Sequence, residues 1–128
     1  MPSPNIRYIV KNVEETVSFF TKHLGFSVAF QPAPGFAIVA RDDVRLALNA
    51  VGGPGGASQP MPDGRMPEPG GWNRILLEVR DLEAMVNTMR AAGVHFRNTV
   101  VNGIGGKQIL VEDPSGNPIE LFEPKPQA

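Results

Sequence analysis

Near the C-terminus the chain runs Asp113-Pro114-Ser115-Gly116-Asn117-Pro118-Ile119-Glu120-Leu121-Phe122-Glu123-Pro124. An apolar segment, residues 108–111, precedes this run and is predicted to be a strand. Residues 119–122, inside the run, are predicted to be a second strand, whose side chains alternate between its two faces. Between them, Pro114 restricts its own φ and Gly116 tolerates a positive φ, which is typical of a tight turn. The pattern therefore predicts a β-hairpin.

Alternation within the second strand of this hairpin separates its side chains into two faces. Ile119 and Leu121 share one face, whereas Glu120 and Phe122 share the other. If the isoleucine and the leucine face a core, Glu120 projects from the far side. A carboxylate there needs a partner if the face is half-buried, and needs none if the face is open to water. The local pattern leaves both interpretations open.

Length and composition exclude several classes of protein. With 128 residues, the chain is long enough for one domain, which we expect to span residues 1–128. A net charge of -1 argues against nucleic-acid or membrane partners, and no apolar run is long enough to span a bilayer. The absence of cysteine removes disulfides and thiolate metal sites. No signal peptide is apparent, and we expect a cytoplasmic protein.

Two predicted helices share the same flanking residues. The first follows a strand at residues 6–10, begins after the N-cap candidate Asn12, and has an apolar stripe of Val13, Val17, Phe20 and Leu24. The second follows a strand at residues 73–79, begins after Asp81, and has a stripe of Leu82, Met85, Val86 and Met89. Gly25 and Gly93 are predicted to end them.

Constant spacing between these features predicts an internal repeat. Val79 lies 79 − 10 = 69 residues after Val10, and Gly93 lies 93 − 25 = 68 residues after Gly25. Further strands are predicted at residues 26–31, 36–40 and 45–50 in the first repeat, and at 94–101 before the closing hairpin in the second. The fold class is therefore α+β, with two β-α-β-β-β repeats at about 4–50 and 74–124. The connector, residues 51–73, is rich in Gly and Pro and is predicted to be a linker or a lid.

Histidine-based metal chemistry and the common catalytic motifs are not indicated. The two histidines, His23 and His95, have no second histidine at metal-ligand spacing. The chain contains no Gly-x-Ser-x-Gly nucleophile motif, no phosphate-binding loop and no dinucleotide-binding fingerprint. The sequence therefore offers no catalytic residue that can be assigned from a motif.

The two repeats, the matching openings Val10-Lys11-Asn12-Val13 and Val79-Arg80-Asp81-Leu82, and the closing hairpin resemble the vicinal oxygen chelate superfamily. That group includes glyoxalase I, extradiol dioxygenases, and fosfomycin and bleomycin resistance proteins. The resemblance implies curved mixed sheets around a cleft. It also implies metal ligands on the first and fourth strands of each unit, where this chain has Asn5, Asn49, Arg74 and Glu120. An arginine and two amides make a poor divalent site, so we expect no metal and no other cofactor.

Arg74 offers a partner for Glu120 in place of a metal. Its guanidinium can form a charge-assisted pair with the carboxylate, although Arg74 pointing into solvent is the alternative. Trp72, the single tryptophan, is either a stacking platform for a planar ligand or an anchor for the connector. Strand alternation adds further candidates for ligand binding: Arg7, Arg45, Ala47, Leu76 and Phe122.

Three functions fit these residues. The first is a metal-free protein that sequesters an amphipathic or aromatic small molecule, as the bleomycin resistance proteins do. The second is a glyoxalase-like lyase or dioxygenase-like metalloenzyme with unusual ligands, and the third is a metal-free enzyme with Glu120 as general base. We also expect a homodimer whose clefts combine the first unit of one chain with the second unit of the other.

Overall fold

A computed structural model of the chain describes residues 3–126 and divides between Gly70 and Gly71 into two compact units. The elements of the first unit are β1 (Ile6–Val10), α1 (Val13–His23), β2 (Ser27–Ala33), β3 (Phe36–Arg41), β4 (Val44–Ala50) and a short 3-10 helix (Gly56–Ser58). Those of the second unit are β5 (Ile75–Glu78), α2 (Leu82–Ala91), β6 (Val101–Asn102), β7 (Gly106–Glu112) and β8 (Pro118–Pro124).

Each unit contains one mixed, four-stranded sheet. The strand order is β1-β4-β3-β2 in the first unit and β5-β8-β7-β6 in the second. In both, the strand before the helix pairs in parallel with the last strand of the unit, and the remaining pairs are antiparallel. The predicted α+β class and the two β-α-β-β-β units are therefore confirmed.

Helix α1 begins and ends where the sequence predicts. The Asn12 side chain accepts a hydrogen bond from the Glu15 N–H at 2.8 Å, and Gly25 takes a φ of 73° after the last turn. The predicted apolar stripe is partly wrong, because Val17 is only half-buried while Thr16 and Phe19 are buried. Thr16 tolerates burial because its hydroxyl donates to the Asn12 carbonyl oxygen at 2.7 Å.

Helix α2 repeats this construction in the second unit. The Asp81 side chain accepts from the Ala84 N–H at 3.2 Å, and Gly93 takes a φ of 84°. Leu82, Val86 and Met89 are buried, whereas the predicted core residue Met85 is half-buried. None of the helices within residues 3–126 is long and apolar enough to cross a membrane.

The predicted strand at residues 94–101 is wrong. Only an isolated bridge from Phe96 to Val111 and the two-residue β6 form in this region. The Asn98 side chain accepts a hydrogen bond from the Leu110 N–H at 2.9 Å and so occupies a donor that a continuous ladder needs. A side chain that competes with the backbone therefore ends the pairing after one bridge.

The closing hairpin forms as predicted, with β7 and β8 joined by a buried turn. One carboxylate oxygen of Asp113, Oδ1, accepts from the N–H groups of Ser115 and Asn117 at 2.8 and 2.9 Å. The other, Oδ2, accepts from the Asn117 side-chain amide at 3.0 Å. Asp113 is 3% exposed. Burial raises its pKa above the ordinary value of 3.8, against the opposing effect of the hydrogen bonds from Asn117 and Ser115.

A pH-dependent stability follows from the raised pKa of Asp113. A raised folded-state pKa means that the folded protein binds this proton more tightly than the unfolded chain does. The resulting stabilisation is full below pH 3.8 and is lost as the pH rises through the folded-state pKa. Asp113→Asn cannot titrate, so we expect the native protein to lose stability relative to this variant between pH 3.8 and neutrality. Urea unfolding of both proteins across this range measures the difference, and a pH-independent difference would contradict it.

Candidate functional site

An ion pair lies at the centre of the second sheet. Glu120, in the middle of β8, is only 8% exposed, and its Oε1 accepts from Arg74 Nε at 3.1 Å and Arg74 Nη2 at 2.7 Å. The Arg74 side chain, just before β5, is 28% exposed. The predicted Arg74–Glu120 pair is therefore confirmed, and the interpretation of Glu120 as a solvated side chain is wrong. The pair satisfies a carboxylate that the fold removes from water.

Two arginines hold the backbone at the start of the second unit. Arg74 Nη1 donates to the Trp72 carbonyl oxygen at 3.2 Å, and Arg97 Nη1 donates to the Gly71 carbonyl oxygen at 2.7 Å. We call this pair of arginines, with the two carbonyl groups that they bind, the arginine clamp. The clamp thus holds the backbone at two consecutive peptide groups, those of residues 71 and 72. Each arginine is in turn fixed by an ion pair with a carboxylate.

Arg97 and Glu112 were not predicted as site residues. Arg97 Nε donates to Glu112 Oε2 at 2.6 Å, and Arg97 Nη2 donates to the Gly116 carbonyl oxygen at 2.9 Å. His95 Nε2 lies 3.5 Å from the other carboxylate oxygen of Glu112. A signal was present in the sequence: Glu112 lies two residues after Leu110 on the partner strand of Glu120, so strand alternation puts it on the same face as Glu120.

Trp72 is the most exposed aromatic side chain of this site. It is 70% exposed, and the Arg97 guanidinium carbon lies 4.8 Å from the centre of its ring. The connector-anchor interpretation predicted that Trp72 would pack into the core, and the exposure contradicts it. The indole therefore has a cation against its ring and most of its surface in solvent, while the arginine clamp fixes its backbone.

The remaining candidates of the second unit share a face with Glu120. Leu76 pairs with Glu120 across β5 and β8, and Leu110 pairs with it across β7 and β8. Leu76 is 53% exposed, and Phe122, two residues further along β8, is half-buried. This face lies opposite the buried side chains of Ile119 and Leu121. On it, apolar side chains surround the ion pair of Arg74 and Glu120.

In the first unit, Arg7 on β1 donates through Nη1 to Asn49 Oδ1 on β4. Asn49 is 2% exposed, whereas Arg7 is exposed. Ala47 pairs with Arg7 across the two strands and is 6% exposed. The structure thus brings together three of the candidates. Asn5, before β1, and Arg45, at the start of β4, are both exposed and outside this hydrogen bond.

Strand register changes one of the predicted correspondences between the units. The N-caps Asn12 and Asp81 are 81 − 12 = 69 residues apart, which makes Arg7 equivalent to Leu76. Leu76 pairs with Glu120, and Arg7 pairs with Ala47. The counterpart of Glu120 is therefore Ala47, and the prediction of Asn49 at this position is wrong by two residues.

The positions that the resemblance assigns to metal ligands are thus Asn5, Ala47, Arg74 and Glu120. Alanine has no donor atom, and the guanidinium cannot lose its proton. Both hydrogen bonds of Arg74 to Glu120 converge on the oxygen Oε1 of the single carboxylate in the set. Across the part of the chain that the structure describes, no three His, Cys, Asp or Glu side chains are grouped to hold an ion. These residues do not fit a divalent metal.

The first part of the connector is fixed to the first unit. The Val51 N–H donates to the Val10 carbonyl oxygen at 2.9 Å, and the Gln59 side chain donates to the carbonyl oxygens of Gly53 and Gly55, both at 3.2 Å. A Cβ atom on Gly55 would lie 3.0 Å from Asn49 Nδ2, so glycine allows a close approach there. Packing beside Asn49 therefore explains the glycine at position 55.

Comparisons with known proteins agree with this fold. The family model described as Glyoxalase/Bleomycin resistance protein/Dioxygenase superfamily matches residues 4–121. The antibiotic binding protein TnmS3 from Streptomyces sp. CB03234 is 26% identical, with a TM-score of 0.66 over 97% of this chain and 98% of that one. A member of the superfamily from Sphaerobacter thermophilus DSM 20745 is also 26% identical, with a TM-score of 0.69 over 96% and 98% of the chains.

A third structure shows the fold alone. The fosfomycin resistance protein FosX from Listeria monocytogenes has a TM-score of 0.72 over 98% of this chain and 94% of that one, at 14% identity. A comparison with curated proteins found no significant match. The family model covers nearly the whole chain, and the two repeated units have the corresponding topology. The chain therefore belongs to the glyoxalase/bleomycin resistance protein/dioxygenase superfamily.

Proposed function

We propose that this protein binds an amphipathic small molecule with an aromatic part, and sequesters it without a divalent metal. The observation that carries the proposal is Trp72, which is 70% exposed although its backbone is held by two arginines. A large aromatic side chain in water on a fixed backbone gains free energy when a planar ligand covers it. We further propose that the protein works in the cytoplasm as a homodimer.

Preorganisation supports binding at Trp72. Ordering a side chain on ligand binding costs about 0.5–1.5 kcal/mol, and this cost is reduced when the free protein already holds the group in place. The arginine clamp and the contact of Arg97 with the indole hold Trp72 in this way. Leu76, at 53% exposure, adds apolar surface on the same unit. An amphipathic ligand matches this combination of apolar surface and neutralised charge.

The name of a similar protein supports the biological role. TnmS3, which is 26% identical to this chain, is called an antibiotic binding protein. We therefore propose an antibiotic or a related aromatic compound as the ligand class. The lyase and dioxygenase alternatives have weaker support, because Arg74 and Ala47 stand where the resemblance places metal ligands. A general base at Glu120 also has weaker support, since Arg74 directs two donors at one of its oxygens.

A fluorescence titration tests the binding proposal. Trp72 is the single tryptophan, so its emission reports on this site alone. We expect at least one compound in a panel of aromatic antibiotics to quench the emission to a saturable limit at one equivalent per chain. A panel that quenches only in proportion to concentration, without saturation, would contradict the proposal.

The metal-free state is tested by elemental analysis of purified protein. We expect far less than one equivalent of zinc, nickel, iron or manganese per chain, because an arginine and an alanine stand at two ligand positions. The protein should be dialysed against a weak chelator before the measurement. One equivalent of any of these metals that survives dialysis would show the proposal to be wrong.

The homodimer is tested by sedimentation velocity at micromolar concentration. We expect one species with twice the mass of the chain, because the two units leave apolar residues such as Val28 and Val101 about half exposed. Dilution to nanomolar concentration should shift the species towards monomer only if the interface is weak. A single species with the mass of one chain at micromolar concentration would contradict the dimer.

A further inference from the structure

Arg7 differs from the arginines of the second unit in the charge of its partner. Arg74 and Arg97 are each bound to a carboxylate, Glu120 and Glu112 respectively. Arg7 is instead bound to the neutral side-chain amide of Asn49. No salt bridge within residues 3–126 joins Arg7 to a carboxylate. Its positive charge is therefore held in place without being neutralised.

The partner of Arg7 is well suited to positioning a cation. Asn49 is 2% exposed, lies on β4, and has the connector at Gly55 beside its amide nitrogen. A buried side chain in this position has little rotamer freedom, so its Oδ1 gives the guanidinium a fixed acceptor. One guanidinium carries five N–H donors, and the bond to Asn49 uses one of them. The other donors of the exposed Arg7 side chain remain able to bind an anion.

Aromatic side chains lie next to this cation on the same face of the first sheet. Phe36 on β3 pairs directly with Asn49, so the two side chains are neighbours. The ring of Phe30 on β2 lies 6.3 Å from that of Phe36, in an edge-to-face arrangement, and Phe30 is 51% exposed. The face therefore presents a row of two aromatic rings, a buried amide and an uncompensated cation.

We propose that this row binds an amphipathic anion, with its carboxylate, sulfonate or phosphate on Arg7 and its apolar body against Phe30 and Phe36. The proposal rests on the proposed function because it takes the same class of amphipathic ligand, and it adds a binding surface formed by the first unit alone. An anion gains a charge-assisted hydrogen bond at Arg7, whereas at Arg74 and Arg97 it would compete with a carboxylate that is already bound. Charge complementarity thus favours the first unit as the place where the anionic group lies.

Two fluorescent probes with one aromatic skeleton test the proposal. Anilinonaphthalene sulfonate carries an anionic group, and N-phenylnaphthylamine is its neutral counterpart. Arg7→Gln should weaken binding of the sulfonate by about tenfold or more, because it removes one charge-assisted hydrogen bond. The affinity for the neutral probe should change by less than about twofold. Asn49→Asp should have the same selective effect, because a carboxylate beside Arg7 neutralises it as Glu120 neutralises Arg74. Arg80→Gln, which removes an exposed charge in the second unit, is the matched control and should change neither affinity.

The outcomes separate this inference from the proposed function. Equal loss of both probes in Arg7→Gln, or no loss of the sulfonate, would overturn the anion site while leaving a small-molecule site in place. Failure of both probes to bind the native protein would overturn this inference alone, because the quenching titration at Trp72 decides the proposed function separately. Thermal unfolding of each variant shows whether it is folded. If Asn49→Asp does not fold, Arg7→Gln and the salt dependence of sulfonate binding to the native protein decide the result.

Discussion

Replacing Arg74 by methionine is expected to destabilise the protein by about 3 kcal/mol, the low end of the range for breaking a buried ion pair. Glu120 is 8% exposed, so the variant would leave its carboxylate away from water without a cationic partner. The value falls at the low end because 28% of the Arg74 side chain is exposed. Urea unfolding of the native protein and the variant measures the loss.

A double variant separates the ion pair from simple packing. Arg74→Met combined with Glu120→Met removes both charges, and we expect it to recover most of the lost stability, because an apolar pair leaves no charge unpaired. Arg80→Met removes an exposed arginine of the same unit and should change stability by less than about 0.5 kcal/mol. A double variant that is no more stable than Arg74→Met alone would show that packing, not charge, explains the loss.

The predictable part of the fold consists of features set by a few neighbouring residues. The N-caps Asn12 and Asp81, the closing glycines of both helices and the turn at Asp113 each depend on local hydrogen bonds and φ values. Strand alternation was sufficient to place Glu120 opposite the core face, whereas its pairing with Arg74 was predicted from the positions that the family resemblance assigns to metal ligands. The caps, the turn and the strand alternation each depend on about ten residues or fewer, so they can be predicted directly from the sequence.

The strand register and the long-range hydrogen bonds of Arg97 could not be predicted from the sequence, for physical reasons. A slip of two residues preserves the alternation of faces, so alternation could not show that Ala47, and not Asn49, is the counterpart of Glu120. The segment at residues 94–101 has the composition of a strand, but a single side-chain acceptor, Asn98, interrupts its pairing. That error hid Arg97, whose partners lie 15 to 26 residues away in sequence.

The arginine clamp has a consequence for the function of Trp72. Arg74 and Arg97 each donate a hydrogen bond to the backbone of residues 71–72, and Arg97 also contacts the indole. An indole that is 70% exposed contributes little to the core of its own unit. The hydrogen bonds at residues 71–72 therefore fix the backbone of a side chain that is itself largely in solvent, which supports the proposed role of Trp72 in ligand binding.

Replacing Trp72 by alanine is expected to weaken ligand binding by about 1–3 kcal/mol, the range for an aromatic anchor at a binding site. The ligand for this measurement is the antibiotic that quenches Trp72 emission most strongly in the native protein. Isothermal calorimetry replaces fluorescence, because the variant has no tryptophan. Trp72 is 70% exposed, so stability should change by less than about 0.5 kcal/mol, and the loss of affinity would then report on binding alone.

Ile104 provides the matched control for this substitution. It is 97% exposed and lies in the same unit, at the turn between β6 and β7, so Ile104→Ala removes exposed apolar surface from a residue that is not part of the arginine clamp. We expect no change in affinity for this variant and an intermediate affinity for Trp72→Phe, which keeps a smaller aromatic ring. Equal losses in Trp72→Ala and Ile104→Ala would indicate a nonspecific effect of apolar surface. Unchanged affinity in Trp72→Ala would remove Trp72 from the site and with it the observation on which the proposed function depends.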